Sequence, residues 1–229
     1  MHISCTAIIV AAGHGTRFGG DMPKQFALLD DKPIVFHSVA VFATNPQITR
    51  IVLVVQPEYQ GFCRQHAQRL GFCERLVYVD GGATRQQSVF NALACVDDDI
   101  VLIHDGARPF VSNSAINAVI SSALLHGAAT LALPVTDTIK RGKDGFAEQT
   151  LPRDGLYAIQ TPQGFKADVL KQVHKHALKE GFEAADDCHL VEQLGVAVAI
   201  VPGESTNIKI TYDADLAIAE SLTKGGWIK

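Results

Sequence analysis

The chain has 229 residues, long enough to bury a sizeable core as one α/β domain. Hydrophobic residues at 47% and charged residues at 19% describe a globular protein and exclude a disordered or fibrous one. A formal net charge of -4 excludes a dominant nucleic-acid or anionic-membrane surface, because such surfaces need a basic excess; any basic cluster must be local.

The first expected strand, residues 7–10, runs directly into Ala11-Ala12-Gly13-His14-Gly15-Thr16-Arg17-Phe18-Gly19. Open α/β sheets place ligands beyond the carboxyl ends of their strands. Glycines there let backbone N–H groups approach an anion, and Arg17 adds a charge for phosphate oxygens. The loop is not a P-loop, since Gly15 through Gly20 is followed by Asp21 and no Lys-Ser or Lys-Thr pair. A dinucleotide fingerprint begun at Gly13 and Gly15 fails at Phe18. Lys24, in Pro23-Lys24-Gln25, supplies a second cation behind the loop.

Further apolar, β-branched runs at 51–55, 76–79, 100–103, 130–133 and 196–201 alternate with candidate helices. That alternation predicts a Rossmann-like, mainly parallel sheet with helices on both faces. The run at 100–103 opens into His104-Asp105-Gly106-Ala107-Arg108-Pro109, which puts a carboxylate on the presumed ligand edge. Asp105 there reads either as a turn or helix cap or, beside a triphosphate loop, as a magnesium ligand. Arg108 is placed to hold a second anionic substrate by a bidentate grip. Helices over 114–125 (Ile116, Val119, Ile120, Leu124) and 166–179 (Val169, Leu170, Val173, Ala177) turn these side chains to the core.

Between about 134 and 164 the chain becomes polar and Thr-rich around a Gly142-Lys143-Asp144-Gly145 turn, which predicts a protruding β-hairpin arm. With few large apolar residues, such an arm must lie on the main domain or against a second subunit. His174 and His176 point to different helix faces and make a poor metal pair. Five scattered cysteines without zinc spacing, no signal peptide and no membrane-length apolar run predict a cytoplasmic protein. The expected organisation is a single domain over 1–229 that carries the arm.

The loop with Arg17, followed by Pro23-Lys24, resembles the nucleotidyltransferase superfamily. A narrower likeness rests on residues 101–109, on Asp80-Gly81-Gly82-Ala83-Thr84-Arg85 with Ser88, and on Pro134 through Lys140. Arg153 before Gly155-Leu156, Thr161-Pro162-Gln163 and Asn207 through Thr211 extend it over most of the chain. These strings are similar to the 2-C-methyl-D-erythritol 4-phosphate cytidylyltransferases of isoprenoid precursor synthesis, and the ribitol-5-phosphate cytidylyltransferases share many of them.

The resemblance implies CMP transfer from CTP to the polyol phosphate, with pyrophosphate leaving. It implies that Arg17, Lys24 and Lys209 carry transition-state charge and that Asp105 helps hold Mg2+. Ala11, Ala12, Gly13, Gly15, Gly82, Ser88 and Ala107 would line the nucleotide side. Asp105, Arg108, Thr138, Arg153 and Thr161 would face the sugar phosphate, with the arm crossing into a partner's site in a homodimer. Ala185 stands where many family members carry Thr, while Asp186 and Asp187 read as an acidic pair at a helix N-terminus or as catalytic groups. The attacking phosphate is already anionic, so charge neutralisation rather than a general base is the main need. A non-catalytic nucleotide-binding module is the alternative from a different class.

Overall fold

The computed structural model describes residues 4–13 and 22–227. Among these residues the chain forms β1 (Cys5–Val10), a small hairpin of β2 (Leu28–Leu29) and β3 (Lys32–Pro33), and α1 (Ile34–Thr44). There follow β4 (Ile48–Val55), α2 (Pro57–Leu70), β5 (Leu76–Asp80), α3 (Arg85–Ala92), β6 (Ile100–Asp105), α4 (Asn113–His126) and β7 (Ala128–Pro134). A second hairpin, β8 (Ile139–Lys143) and β9 (Phe146–Leu151), precedes β10 (Tyr157–Lys166), α5 (Ala167–Glu180), α6 (Asp187–Gln193), β11 (Ala199–Pro202) and α7 (Asp213–Lys224).

Seven strands make one sheet in the order β11-β7-β10-β6-β1-β4-β5. Pairing is parallel except at β10, which runs antiparallel to both β6 and β7. This is the mainly parallel α/β sheet the alternating runs predicted. Side chains alternate between faces with period two, so each buried strand feeds two cores. Ala7, Ile9, Leu53 and Leu102 pack with α1, α2 and α4, whereas Ile8, Val52, Val54, Val101 and Ile103 pack with α3, α5 and α6. α4 buries Ile116, Val119 and Ile120 as its spacing required, but Leu124 lies 41% exposed on the flank and Ala123 takes the core position.

The largest departure concerns residues 134–164. Only β8 and β9 form the exposed hairpin, joined by Asp144 and Gly145, both at positive φ (50° and 84°) as a tight two-residue hairpin turn requires. Residues 157–166 instead form β10 near the middle of the sheet, with Gln160 through Phe165 buried. These residues were expected at the end of the arm, and Pro162 and Gly164 are residue types that rarely sit in central strands. The register against β7 shifts between Gln160 and Gln163, so the missing Pro162 N–H falls in an irregularity of the ladder. Gly164 is needed because α4 packs there: a Cβ would lie 2.7 Å from Val119 Cγ1.

Candidate active site

From β1 the chain moves to β4 on one side, then returns after β5 to place β6 on the other side of β1. Such a reversal opens a crevice beyond the carboxyl ends of the two strands. Val10 and Asp105 are register partners there, so the loop after β1 and the carboxylate ending β6 stand level. The resulting cleft has a volume of about 360 Å³ and is lined by Ala11, Ala12, Gly13, Lys24, Gly82, Arg85, Ser88, Asp105, Ala107 and Lys209, among others.

Asp105 is its electrostatic centre. Lys209 Nζ lies 2.7 Å from Oδ2, Arg85 Nε 3.4 Å from Oδ1 and Arg108 Nε 3.8 Å from Oδ2. Burial works against the charge, but the Arg85, Lys209 and Arg108 cations outweigh it and hold the carboxyl well below the usual carboxylate range. Lys209 reaches this point because its segment is tied down across the end of β6. Ile210 N–H donates to the Ala107 carbonyl at 2.9 Å and Ile210 is buried, while Asn207 Nδ2 donates to the Thr161 carbonyl at 2.9 Å.

A buried chain of hydrogen bonds sets the backbone of Asp105. Its N–H donates to Thr161 Oγ1 at 3.0 Å, so the hydroxyl proton is directed to His104 Nδ1 at 3.1 Å. That leaves His104 Nε2–H to donate to the Arg108 carbonyl at 3.0 Å. Burial pushes the His104 imidazole down to about 4, which keeps it in this neutral form.

The first loop is braced from behind. Gln25 Nε2 donates to the carbonyls of Ala11 (2.7 Å) and Gly13 (2.8 Å), and Gln56 Nε2 to that of Ala12 (3.0 Å). On the opposite wall Gly82 N–H donates to Ser88 Oγ at 3.0 Å, and Ser88 donates to the Thr84 carbonyl, so the start of α3 holds the 82–84 turn. Gly81 permits contact between the walls, since a Cβ on it would lie 2.3 Å from Ala12 Cβ.

Comparison with known proteins gives this cleft a lineage. The family model for 2-C-methyl-D-erythritol 4-phosphate cytidylyltransferase matches residues 5–224. The chain belongs to that family. A cytidylyltransferase of that name from Pelotomaculum thermopropionicum is 42% identical over 222 residues, covering 95% of this chain and 93% of the relative. One from Clostridium novyi is 43% identical over 219 residues, covering 94% and 95%. The crystal structure of 4-diphosphocytidyl-2C-methyl-D-erythritol synthase from Anaerococcus prevotii superposes with a TM-score of 0.86 at 28% identity, covering 97% of each chain.

Of the site residues that the cytidylyltransferase resemblance named, Ala11, Ala12, Gly13, Lys24, Gly82, Ser88, Asp105, Ala107 and Lys209 meet in the one cleft. Gly15 and Arg17 lie outside the described residues. Arg108 and Thr161 are not among the residues lining the cleft, and both hydrogen-bond to backbone beside it. Arg108 donates to the carbonyls of Asn207 (2.8 Å) and Ile159 (3.4 Å), so its fork is engaged with backbone. Thr161 is buried, with its hydroxyl behind Asp105. Thr138 and Arg153 stand exposed at the root of the arm, where Arg153 donates to the Thr136 carbonyl at 2.6 Å, and neither lines this cleft.

Reading the sequence assigned no role to Arg85, Gln25 or Gln56. Arg85 and Gln25 sat inside strings already singled out, and a charged or amide side chain one residue from a glycine turn or a lysine was the available signal. The acidic pair divides its labour. Asp186 caps α6 by accepting from His189 N–H at 2.8 Å, whereas Asp187 is buried between Arg85 Nη1 (2.6 Å) and His174 Nε2 (3.0 Å).

Proposed function

We propose that this chain transfers the cytidylyl group of CTP to 2-C-methyl-D-erythritol 4-phosphate, giving 4-diphosphocytidyl-2-C-methyl-D-erythritol and pyrophosphate in the non-mevalonate route to isoprenoid precursors. A phosphate oxygen of the polyol attacks the α-phosphorus, forming one P–O bond while the bond to the bridging oxygen of pyrophosphate breaks. The observation that carries this reading is Lys209 held 2.7 Å from Asp105 across from the Ala11–Gly13 loop and Lys24, in a family of this activity. Lys24, Lys209 and Arg17 neutralise the triphosphate and the charge developing as pyrophosphate leaves. Gly82, Ser88, Ala107 and Ala11–Gly13 form a nucleotide wall whose small side chains fit a pyrimidine, and the family resemblance assigns Gly15 to the nucleotide as well.

Magnesium fits this donor set. It favours one or two carboxylates completed by phosphate oxygens and water, and Asp105 is an ionised carboxylate opening onto the cleft. Among the described residues no group of three His, Cys, Asp or Glu forms a dedicated metal cage, so the ion would arrive with the triphosphate on Asp105. Bound there, it would offset charge on the phosphates.

We further infer a cytoplasmic homodimer of single-domain chains (1–229). The arm is exposed along nearly its whole length, Phe146 included, and Thr138 and Arg153 stand at its root away from the cleft of their own chain, as residues serving a partner's site would. All five cysteines are free, and no described helix is long and apolar enough to cross a membrane.

The test is a substrate panel: CTP and Mg2+ with methylerythritol phosphate, ribitol 5-phosphate and other polyol phosphates, following pyrophosphate. Preference for methylerythritol phosphate supports the proposal, and preference for ribitol 5-phosphate moves the chain's substrate. CTP binding by calorimetry without turnover on any acceptor would leave a binding module.

A further inference from the structure

We propose that Arg85 is a positioning residue for the transfer reaction, holding the Asp105 carboxylate in place through a clamp anchored on Asp187 and His174, so that Lys209 is the cation released to the triphosphate. The proposal rests on the transfer reading above.

The clamp is made by four elements that meet only in the folded chain. Arg85 opens α3, whose start is capped by Thr84 Oγ1 accepting from Gln87 N–H. One arm of its guanidinium meets Asp187 Oδ2 at 2.6 Å and its Nε meets Asp105 Oδ1 at 3.4 Å. Asp187, the first residue of α6, is held on its other oxygen by His174 Nε2 of α5 at 3.0 Å, and both side chains are 1% exposed. The His174 ring lies along Phe90 of α3, with centroids 6.3 Å apart and planes at 27°. Turning Arg85 away would leave a buried carboxylate short of its charged partner, which is costly, so the guanidinium is fixed in orientation.

The charges around Asp105 then divide unequally. Among the described residues, Asp105 and Asp187 are the two acids of the clamp, while Arg85, Arg108 and Lys209 are the cations paired with Asp105. Arg85 and Arg108 balance the two acids by themselves. Lys209 is the surplus charge and also the most exposed of the three, at 43% of its side chain against 29% and 11%. It is free to turn toward anionic oxygens, while the carboxylate it leaves stays on Arg85. Because Arg85 is continuous with the Thr84 and Ser88 turn of the nucleotide wall, it also fixes the carboxylate relative to that wall.

The experiment compares the full chain with R85Q, R85K, D187N and R85Q/D187N. It reads kcat and KM with CTP, methylerythritol phosphate and Mg2+, CTP affinity by calorimetry, and the thermal midpoint. R85Q should lower kcat on the order of 10- to 100-fold with the KM for CTP changed by no more than about threefold. D187N, which alters no atom lining the cleft, should give the same kcat loss with CTP affinity kept, and the double variant should be no slower than R85Q alone. R85K should recover part of the loss by restoring the charge without the bidentate reach.

Unchanged kcat in R85Q or D187N overturns the proposal, as does a raised KM at constant kcat, which would make Arg85 a substrate-binding group. Should D187N fail to fold, R85K decides: full kcat there shows that the bridge is not needed. A wild-type chain inactive on every polyol phosphate overturns the transfer reading and this proposal together. An active wild type with an unimpaired R85Q overturns the positioning role alone.

Discussion

Lys209 Nζ stands 2.7 Å from Asp105 Oδ2, joining a segment just ahead of the last helix to the end of the strand beside β1. Lys209→Ala removes a preorganised cation from the cleft, so kcat should fall by roughly two to three decades, as for loss of one such stabilising group. Asp105 keeps Arg85 and Arg108, so the thermal midpoint should move little. Pyrophosphate release and differential scanning fluorimetry on the same preparation read both, and full activity in the variant would remove Lys209 from the mechanism.

Gly81→Ala tests the contact between the cleft walls. Its Cβ would fall 2.3 Å from Ala12 Cβ, too close for either backbone to stay in place, and Ala12 lines the cleft. CTP affinity measured by calorimetry should weaken about tenfold or more, in line with the roughly 1–3 kcal/mol cost of overpacking. Unaltered affinity would show that the wall yields without cost.

Thr161→Val keeps the volume and deletes the hydroxyl that accepts from Asp105 N–H and donates to His104 Nδ1. Two buried groups lose their partner, which costs about 1–3 kcal/mol for each unsatisfied group. Urea unfolding should show a midpoint shift of that order with an unchanged slope. A shift in KM for the polyol phosphate without loss of stability would instead return Thr161 to the substrate side.

His104 makes stability fall with acid. Burial lowers its pKa from 6.5 to about 4, so between those values the unfolded chain binds the proton and the folded chain does not. The stability present above 6.5 is therefore lost progressively as pH falls toward 4, by on the order of 3 kcal/mol at about 1.4 kcal/mol per pKa unit. Unfolding free energies measured from pH 7 to 4 should show this slope, and His104→Gln, which can still donate to the Arg108 carbonyl, should flatten it. An equal slope in the variant would assign the effect to other groups.

How much was legible in the sequence varies by element. Strands β1, β4, β5, β6 and β7 were readable because continuous apolar, β-branched runs have few other places to go in a globular chain. The Ala11–Gly13 loop and Asp105 were readable because each adjoins a strand end, where local pattern predicts position, and Lys24 was readable by its spacing behind that loop. β10 was not, since Pro162 and Gly164 are depleted in central strands and break up the pattern a strand would show. Their place in the sheet depends on α4 packing onto Gly164 and on a ladder irregularity at Pro162.

The sequence by itself determined the α/β class, the glycine-rich loop and the lysine behind it, the carboxylate at the end of β6 and the likeness to one enzyme family. All of these follow from short-range order along the chain. Only the tertiary structure decided that Arg108 and Thr161 hydrogen-bond to the backbone around Asp105, that Asp187 is buried between Arg85 and His174, and that Lys209 is the most exposed of the three cations paired with Asp105. Those roles depend on which charges and donors meet in a place closed to water, where an unpaired group is costly, and no spacing along the chain records that meeting.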